Sequence, residues 1–430
     1  MSERVVVLGA GAGGTMAANR LDRQLAALGE VVVVDRDPVH RYQPAYYLHP
    51  FGHLDLDDHS RDVGPYLRDD VRFVEAAVTG VDPRARTVET DAGTLEYDRL
   101  VVTLGHAVAE ERVPWDGEPG VYPFYRPEAA RALATALERV VGDDAADGEN
   151  EAETPAAEPS RRGGVATDGA GVVAESGPVP EPTPETPLRV VVTTPTSTVS
   201  CGGSPLKMAL LAEDHLTGHG VPCEVTVTTP GDHVFGTGRK ARYDDLVADV
   251  MDDRVEHVPN FDVADVTDGV VVGEDGRRLP YDLYAPVSPQ RCPRALTDGS
   301  PLTTPVAGEP GEYVATDPET LRHRRFDRVY ALGDCTDLPT SKTAAAARKQ
   351  AAALTDNLTA DVTDRDREVH YEGFAACPLL TEAGKAVVAT YDYDGATAPA
   401  VESRLGWIAD VHVLPRLYWR LWLRGYLLGV

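Results

Sequence analysis

The feature that most constrains the fold is a glycine-rich turn between an apolar strand and an alanine-rich helix near the N-terminus. A predicted strand, Arg4 to Leu8, runs into Gly9-Ala10-Gly11-Ala12-Gly13-Gly14, and Thr15 to Leu28 has a helical pattern. In this context the first glycine permits a tight turn, the second lets the backbone approach a pyrophosphate, and the last lets helix and strand pack closely. The N-terminus of the helix would then bind the phosphates.

A second predicted strand, Val31 to Val34, ends at Asp35. A carboxylate at this point can accept hydrogen bonds from both hydroxyls of an adenosine ribose. Strand, glycines, helix and terminal acid together predict a dinucleotide site, although this motif alone does not distinguish FAD from NAD.

Along most of the chain, short β-branched runs alternate with helical stretches, which predicts doubly wound α/β domains. The other clear strands are Leu100 to Leu104, Leu188 to Thr193, Glu224 to Thr228 and Arg328 to Leu332. Residues 141–187 differ, because they are rich in Asp, Glu, Pro, Gly and Ala and lack hydrophobic periodicity. We interpret them as a disordered insertion, with an acidic interaction segment as the alternative.

The net charge of -28 argues against nucleic acid as a partner, because the average surface repels phosphate backbones. The basic residues are almost all arginine, and the lysines are Lys207, Lys240, Lys342, Lys349 and Lys385. An acidic, lysine-poor surface is typical of a protein from a very salty cytoplasm, with an acidic mesophile protein as the alternative.

The sequence shows no signal-peptide pattern at its start and no apolar run long enough to span a bilayer. We therefore expect a cytoplasmic protein, whose five cysteines are catalytic, redox-active or buried rather than disulfide-bonded. No metal site is expected.

Two further segments favour FAD. Phe326 to Asp337, FDRVYALGDCTD, predicts a strand that ends at Gly333 and Asp334, with an alanine-rich helix from about Ser341. It resembles the second FAD signature of the two-dinucleotide-domain flavoprotein disulfide reductases, in which the aspartate binds the ribityl chain. Tyr97 to Gly105, YDRLVVTLG, resembles the connecting motif of the same superfamily.

A nicotinamide site has no evident sequence signal. Relatives that oxidise NADH carry a second glycine-rich fingerprint after the strand that matches Leu188 to Thr194. Here the following segment is Pro195 to Lys207, PTSTVSCGGSPLK, in which a proline and β-branched threonines replace the glycines that would approach a pyrophosphate. We therefore expect a different electron donor.

Two cysteines, Cys201 and Cys377, are candidates for nucleophilic or redox chemistry. Cys201 precedes a predicted helix with Ser204 as N-cap and Pro205 at its first position, and the helix dipole and Lys207 would favour a thiolate there. Cys377 lies in YEGFAACPLLT, and sequence separation cannot show whether it meets Cys201. Two buried small hydrophobic residues are the alternative.

The segments CGGSPLKMALLAED, GDCTDLPTSKTAAAARKQ and YEGFAACPLLTEAGKAVVATYDYDG resemble the sulfide:quinone oxidoreductase family, in particular its mitochondrial-type branch. The likeness includes HRYQP, with Arg41 and Pro44, which it implies contact the cofactor. It also implies that Cys201 lies beside the flavin and Cys377 faces the sulfide entry, as a disulfide or sulfur-bridged pair. Hydrosulfide would attack at Cys377, leaving a persulfide and a Cys201 thiolate whose electrons pass through FAD to a membrane quinone.

The resemblance further implies that the sulfur leaves on an acceptor, for which a small thiol or sulfite is considered, or as a growing chain. Lys342, near the start of the helix after the second FAD signature, would approach the flavin and stabilise its reduced anion. An exposed helix-start lysine is the alternative. Cys335 is interpreted as packing near the flavin, with a catalytic role as the alternative, and Cys223 and Cys292 as structural.

The C-terminal segment, LPRLYWRLWLRGYLLGV from Leu414 to Val430, places three arginines along one helical stripe beside apolar residues. The arginines are Arg416, Arg420 and Arg424, and the apolar residues are Leu417, Tyr418, Leu421, Trp422 and Leu428. This pattern predicts an interfacial helix near the site of quinone entry, so that residues 404–430 attach the protein to the inner face of the cell membrane. A helix docked on the protein's own core or on a second subunit is the alternative.

We therefore predict an α/β protein with two Rossmann-like domains of the flavoprotein disulfide reductase type and a C-terminal amphipathic membrane-contact region. The expected divisions are 1–115 with 305–370 for FAD, 116–304 for the second domain, and 371–430 for the C-terminal segment. The alternative functions are a type II NADH:quinone oxidoreductase or another FAD-dependent thiol-disulfide reductase, and a non-catalytic membrane-attached FAD protein. A homodimer is left open.

Overall fold

The computed structural model describes residues 3–115, 117–142, 179–235, 243–306 and 311–426. The α-helices in these ranges are α1 (Ala12–Leu25), α2 (Ala45–Leu48), α3 (Pro127–Val141), α4 (Ser204–Gly218), α5 (Asp244–Met251), α6 (Arg294–Thr297), α7 (Ala344–Val362), α8 (Arg404–Trp407) and α9 (Leu414–Leu417). Short 3-10 segments cover Ala26–Leu28, His49–Phe51, Gly64–Tyr66 and Glu110–Arg112, and π-helical segments cover Ile408–Val413 and Tyr418–Trp422.

The strands are β1 (Glu3–Leu8), β2 (Gly29–Asp35), β3 (Val39–Arg41), β4 (Ser60–Asp62), β5 (Arg72–Glu75), β6 (Val78–Asp82), β7 (Thr87–Thr90), β8 (Gly93–Glu96), β9 (Arg99–Val102), β10 (Ala107–Val108), β11 (Leu188–Thr193), β12 (Cys223–Thr228), β13 (Glu256–Val258), β14 (Val263–Thr267), β15 (Val270–Gly273), β16 (Arg278–Pro280), β17 (Leu283–Tyr284), β18 (Gln290–Arg291), β19 (Thr303–Pro305), β20 (Glu312–Val314), β21 (Arg322–His323), β22 (Phe326–Ala331), β23 (Ala375–Glu382), β24 (Lys385–Asp392), β25 (Gly395–Ala396) and β26 (Glu402–Ser403).

The first large sheet has the order β21-β22-β9-β1-β2-β5, parallel except for the edge strand β21. Its central strands are valine-rich and buried on both faces, as a parallel sheet covered on both sides requires. The helices α1 and α7 pack together against one face. Strand β22 lies beside β9, and β9 lies beside β1, all in parallel. The glycine turn after β1 and the Gly333-Asp334 turn after β22 therefore lie at the same end of one sheet.

A second parallel sheet has the order β13-β12-β11-β17, and α4 packs on β11 and β12. A third, antiparallel sheet pairs β23 with β24, and β24 also pairs with β25 and β26. Its strand β23 contacts α4. Helix α4 therefore packs against both sheets: the second sheet, whose strand β11 leads to Cys201, and the third sheet, whose strand β23 carries Cys377.

The strands predicted from the sequence are present with small shifts of their ends, but three helix starts differ. Helix α1 begins at Ala12 rather than Thr15, because Gly11 is its N-cap and the later glycines form its first turn. Helix α4 begins at Ser204 after Gly203, so Ser204 is not the N-cap. Helix α7 begins at Ala344, because Lys342 pairs as an extended residue with Ser200 and the side chain of Thr343 caps the helix.

The C-terminal segment is helical from Arg404 to Trp422 and packs on the protein's own core through part of the predicted apolar face. Tyr418 is buried, as the alternative of a helix docked on the protein's own core expects for this residue, and its hydroxyl is bonded to His40. The side chains of Arg416, Arg420 and Arg424 are exposed as predicted. No helix in the described ranges is long and apolar enough to cross a bilayer. Of the predicted acidic insertion, residues 143–178 lie outside the described residues.

Candidate active site

A cavity of about 490 Å³ lies where the predicted motifs meet. The predicted residues that line it are Gly11, Gly13, Asp35, Arg41, Pro44, Gly105, Cys201, Gly333, Asp334 and Lys342. Gly9, Gly14 and Cys377 are not among the residues that line the cavity, although both chain neighbours of Cys377, Ala376 and Pro378, are. One space therefore brings together the predicted cofactor contacts and Cys201.

The glycine turn fits a dinucleotide. A Cβ on Gly14 would lie 1.9 Å from the carbonyl oxygen of Gly9, so close packing of α1 on the turn requires glycine there. Gly9 has a φ of +97°, which favours glycine as well. At Gly11 a Cβ would meet no protein atom within 4 Å, because this part of the backbone faces the cavity. The open backbone at the start of a helix is the cradle that a pyrophosphate needs.

Asp35 is held at the end of β2 by the turn itself. Its Oδ2 accepts a hydrogen bond from the Ala10 N–H at 2.6 Å, and its Oδ1 accepts one from the Asp37 N–H at 3.0 Å. Burial raises the pKa of this carboxyl above its ordinary value, and the two backbone hydrogen bonds oppose that shift. In the adjoining wall of the cavity, Arg41 forms an ion pair with Asp37, and Pro44 precedes α2.

Asp334 belongs to a partly buried polar cluster that the sequence did not reveal. Its Oδ2 accepts a hydrogen bond from Ser200 Oγ at 2.5 Å and lies 3.2 Å from His106 Nδ1. Although burial opposes ionisation, the hydrogen bond and charge of His106 and the charge of Lys342 lower the pKa of Asp334. Because Ser200 is the residue before Cys201, its hydrogen bond to Asp334 holds the Gly333-Asp334 turn close to Cys201.

Lys342 is more tightly held than an exposed lysine at a helix start. Its Nζ donates to the carbonyl oxygens of Asp334 at 2.6 Å and Thr336 at 2.8 Å, and it lies 4.5 Å from the centre of the Tyr313 ring. The lysine therefore fixes the turn that presents Asp334. Its predicted role at a reduced flavin stays a prediction.

Cys201 and Cys377 meet. Their Sγ atoms are 3.9 Å apart, and both thiols are free. Cys201 lies in the turn before α4 with a φ of +54°, and Cys377 is buried on β23. A Cβ on Gly203 would lie 2.6 Å from Cys377 Sγ, so the glycine makes room for the second sulfur. A disulfide or a bridge through an added sulfur needs only a small adjustment from this geometry.

The two sulfurs differ in protonation because of their surroundings. The hydrogen bond with Cys377 and the nearby charge of Lys207 lower the pKa of Cys201 well below its usual range, although burial opposes this. The same pairing, together with burial, raises the pKa of Cys377. These opposite shifts favour ionisation of Cys201 over Cys377, and an ionised sulfur is the stronger nucleophile.

Lys207 is the source of positive charge beside the pair. It is only 1% exposed, its Nζ lies 3.6 Å from Cys201 Sγ, and it donates to the Tyr47 hydroxyl at 3.2 Å. Burial by itself would lower the pKa of Lys207, but the negative charge that the cysteine pair carries raises it. A lysine that is buried and charged is compensated by a nearby anion, which here is the thiolate.

The other three cysteines have thiols whose pKa is raised by burial, which disfavours the reactive thiolate. Cys335 is fully buried, and burial raises its pKa to about 12. Cys292 is also buried with a raised pKa, and burial raises that of Cys223 to about 11. None of the three is among the residues that line the cavity. These positions agree with the interpretation of all three as packing residues.

Asp410 was not predicted from the sequence as a site residue. This residue lies in the π-helical segment Ile408–Val413, is 5% exposed and lines the cavity. Burial raises the pKa of its carboxyl to about 6. A lone aspartate in an amphipathic segment has no motif, so only the fold could place it here.

Comparisons with known proteins match this architecture. The family described as Pyridine nucleotide-disulphide oxidoreductase matches residues 3–143. A mitochondrial sulfide:quinone oxidoreductase of Dictyostelium discoideum is 26% identical over 99% of this chain and 87% of that protein. A type II NADH:quinone oxidoreductase of Staphylococcus saprophyticus is 38% identical, but over only 24% of this chain and 26% of that protein.

Among solved structures, the sulfide:quinone oxidoreductase of Aquifex aeolicus has a TM-score of 0.74 and 17% identity, and the match covers 97% of this chain and 90% of that one. The predicted fold class is confirmed. The resemblance to sulfide:quinone oxidoreductases, found from three short segments, is confirmed over nearly the full length of the chain.

Proposed function

We propose that this chain is a sulfide:quinone oxidoreductase that uses FAD, with Cys377 as the entry point for sulfide sulfur and Cys201 as the sulfur that passes electrons to the flavin. The observation that carries the proposal is the Cys201–Cys377 pair, 3.9 Å apart beside a dinucleotide-shaped cavity. The full-length likeness to curated sulfide:quinone oxidoreductases supports the same enzyme class.

FAD is the cofactor. Gly11 and Gly13 would hold its pyrophosphate, Asp35 its adenosine ribose and Asp334 its ribityl chain, and all four residues line the cavity. Arg41, Pro44, Gly105 and Gly333 complete the proposed contacts, and Gly9 and Gly14 shape the turn. When bound, FAD supplies a two-electron acceptor that can deliver electrons to a quinone.

In the proposed sulfur step, hydrosulfide attacks the Cys377 side of the oxidised bridge. A bond forms between the incoming sulfur and Cys377, the bond to Cys201 breaks, and its electron pair stays on Cys201 as a thiolate. The low pKa of Cys201 makes it the better leaving group of the two. The ammonium of Lys207, 3.6 Å away, stabilises the thiolate that forms.

The C-terminal segment supports contact with a membrane surface, though through different residues from those first predicted. Exposed apolar side chains cluster in sequence at Val401, Leu405, Ile408 and Val413, which we call the C-terminal apolar patch. Exposed arginines accompany it at Arg404, Arg416 and Arg420. Apolar and arginine side chains on and just before one short helical segment fit the bilayer interface, from which a quinone would enter.

The remaining assignments are proposals of the same kind. The FAD domain comprises 1–115 with 305–370, the second domain 116–304, and the C-terminal segment 371–430. The protein attaches to the inner face of the cell membrane of a salt-adapted cell, and a small thiol or sulfite accepts the sulfur.

The second candidate is a type II NADH:quinone oxidoreductase, which the partial match favours. It requires a nicotinamide cradle after β11. In its place, Thr196 is bonded to Asp262 and Ser200 to Gln290, and the loop leads directly into Cys201. These hydrogen bonds fix the loop after β11 in a position that supports Cys201 as its functional residue.

An anaerobic absorbance experiment separates the two candidates. Sulfide added to the holoenzyme should bleach the flavin band within the mixing time, and a soluble quinone should restore it, while NADH should leave the band nearly unchanged. Bleaching by NADH and none by sulfide would favour the second candidate.

A further inference from the structure

The most unusual buried group outside the mechanism described so far is the carboxyl of Asp410. It is 5% exposed, and its Oδ2 has no hydrogen-bond partner among the described residues. A buried carboxylate oxygen without a partner is costly, so such a group is retained only where something compensates its charge or uses its proton. Asp410 lines the same cavity as Cys201 and Lys207.

Five titratable groups from four parts of the fold interact electrostatically with Asp410, so that its charge and theirs shift one another's pKa. They are Tyr42 in the loop before α2, Tyr47 on α2, Cys201 and Lys207 just before and in the first turn of α4, and Cys377 on β23. Lys207 favours the ionised form of Asp410, whereas a negative charge on Cys201 disfavours it. The protonation of Asp410 is therefore linked to the charge of Cys201.

The buried ammonium of Lys207 needs one nearby anion, and Cys201 and Asp410 can supply that anion in turn. When Cys201 is a thiolate, it compensates the ammonium at 3.6 Å. When the two cysteines are bridged, the thiolate is absent, and the ionised carboxylate of Asp410 is the anion left to compensate Lys207. Two anions beside one buried cation would leave an excess of negative charge, so opening the bridge favours protonation of Asp410.

We propose that Asp410 is the proton acceptor of the cysteine pair, ionised while Cys201 and Cys377 are bridged and protonated once the bridge is opened. The inference rests on the proposed function only for the identity of the attacking sulfur. In that step hydrogen sulfide gives one proton to the Asp410 carboxylate, its sulfur bonds to Cys377 and keeps the second proton, and the electron pair of the broken Cys201–Cys377 bond goes to Cys201. Charge and atoms then balance within the cavity.

The direct test uses a dithiol in place of sulfide, because a dithiol opens the bridge whether or not sulfide is the natural substrate. It loses two thiol protons as it becomes a disulfide: one stays on Cys377 and the other goes to Asp410. Infrared difference spectra of the holoenzyme, taken before and after addition of dithiothreitol, should show a new C=O stretch of a protonated carboxylic acid. Exchange into D₂O should shift that band.

Asp410→Asn should abolish the band, and Asp410→Glu should retain it at a shifted position. Glu402→Gln is the matched control, because Glu402 lies on β26 with Thr381 and Lys385 as partners and does not line the cavity. It should leave the band unchanged. Absence of the band in the wild type, or its persistence in Asp410→Asn, would overturn the proposal; if Asp410→Asn does not fold, an unshifted band in Asp410→Glu would do so.

A kinetic readout separates this inference from the proposed function. Sulfide-dependent bleaching of the flavin should slow about a hundredfold in Asp410→Asn, the lower end of what a positioned proton acceptor contributes. The wild-type rate should rise with pH as Asp410 ionises, and the variant should lack that part of the profile while Glu402→Gln keeps it. A wild-type enzyme that sulfide does not bleach contradicts the proposed function but leaves the infrared result to decide on Asp410.

Discussion

The Sγ atoms of Cys201 and Cys377 lie 3.9 Å apart, although 176 positions separate the two residues in the chain. One cysteine comes from the turn after β11 and the other from β23, and α4 packs against both strands. Gly203 leaves room for the second sulfur. The protein therefore brings two cysteines from separate sheets together, beside the cavity that the glycine turn lines.

Removal of the buried ammonium should make Cys201 less reactive. In Lys207→Met we expect the pKa of Cys201 to rise, because the charge that stabilises the thiolate is lost. Alkylation of reduced enzyme by iodoacetamide at pH 7, followed by peptide mass spectrometry, should slow about tenfold for each unit by which the pKa of Cys201 rises above 7. Lys385→Met, an exposed lysine paired with Glu382, is the control and should alkylate like the wild type. An unchanged rate in Lys207→Met would show that Lys207 does not activate the thiol.

Two glycines of the same turn should fail in different ways. In Gly11→Val the new side chain meets no protein atom but occupies the cavity, so the fold should remain and FAD should be lost. In Gly14→Val the side chain would clash with the Gly9 carbonyl, which should lower the free energy of unfolding by about 1–3 kcal/mol or more. The measurements are the FAD-to-protein ratio and urea denaturation of the apoprotein. Full FAD content in Gly11→Val would contradict the assignment of the cradle.

His40 should make the fold sensitive to acid. Its Nδ1–H donates to the Ala10 carbonyl at 2.8 Å, and its Nε2 accepts from the Tyr418 hydroxyl at 2.7 Å, so neutral imidazole links the glycine turn to the C-terminal segment. Burial lowers the pKa of His40 from 6.5 to about 4.

Because the unfolded chain binds this proton more readily, the contribution of His40 is complete above pH 6.5 and decreases as the pH falls towards about 4. The loss amounts to about 3 kcal/mol of unfolding free energy at full titration. Urea denaturation across this range should show a shallower acid limb in His40→Gln than in the wild type. The exposed His370→Gln should follow the wild type, and equal slopes in all three proteins would refute the role of His40.

The C-terminal apolar patch should bind lipid. Leu405 is 77% exposed, and burying such a side chain is worth about 1.5–3 kcal/mol. Leu405→Glu should therefore weaken binding to anionic vesicles by about tenfold or more, measured by co-sedimentation. Leu28→Glu changes another exposed leucine far from the patch in sequence, and it should bind like the wild type. Equal losses in both variants would mean that the patch is not the contact surface.

The parts of the fold that depend on local pattern were predictable. Valine-rich strands, the glycine turn and the acid at the end of β2 carry their geometry in a few adjacent residues, and the structure places them as expected. The Gly333–Asp334 motif was recognised in the same way. Helix starts were less predictable, because caps such as Thr343 depend on a backbone pairing between Lys342 and Ser200.

The contacts that depend on tertiary packing were not predictable. Nothing in the sequence joins His106 to Asp334 or brings Asp410 into the cavity, since each contact is made by residues from separate elements. The C-terminal segment shows the same limit: an aromatic and leucine stripe looks alike whether it faces lipid or core. Tyr418 faces the core because its hydroxyl has a buried partner in His40.

The measurement that tests the central claim most directly is rapid anaerobic mixing of sulfide with FAD-loaded wild type, Cys201→Ser and Cys377→Ser. We expect rapid bleaching of the flavin only in the wild type, with FAD content unchanged in both variants. Bleaching at the wild-type rate in either variant would show that its missing sulfur takes no part in moving electrons from sulfide to the flavin.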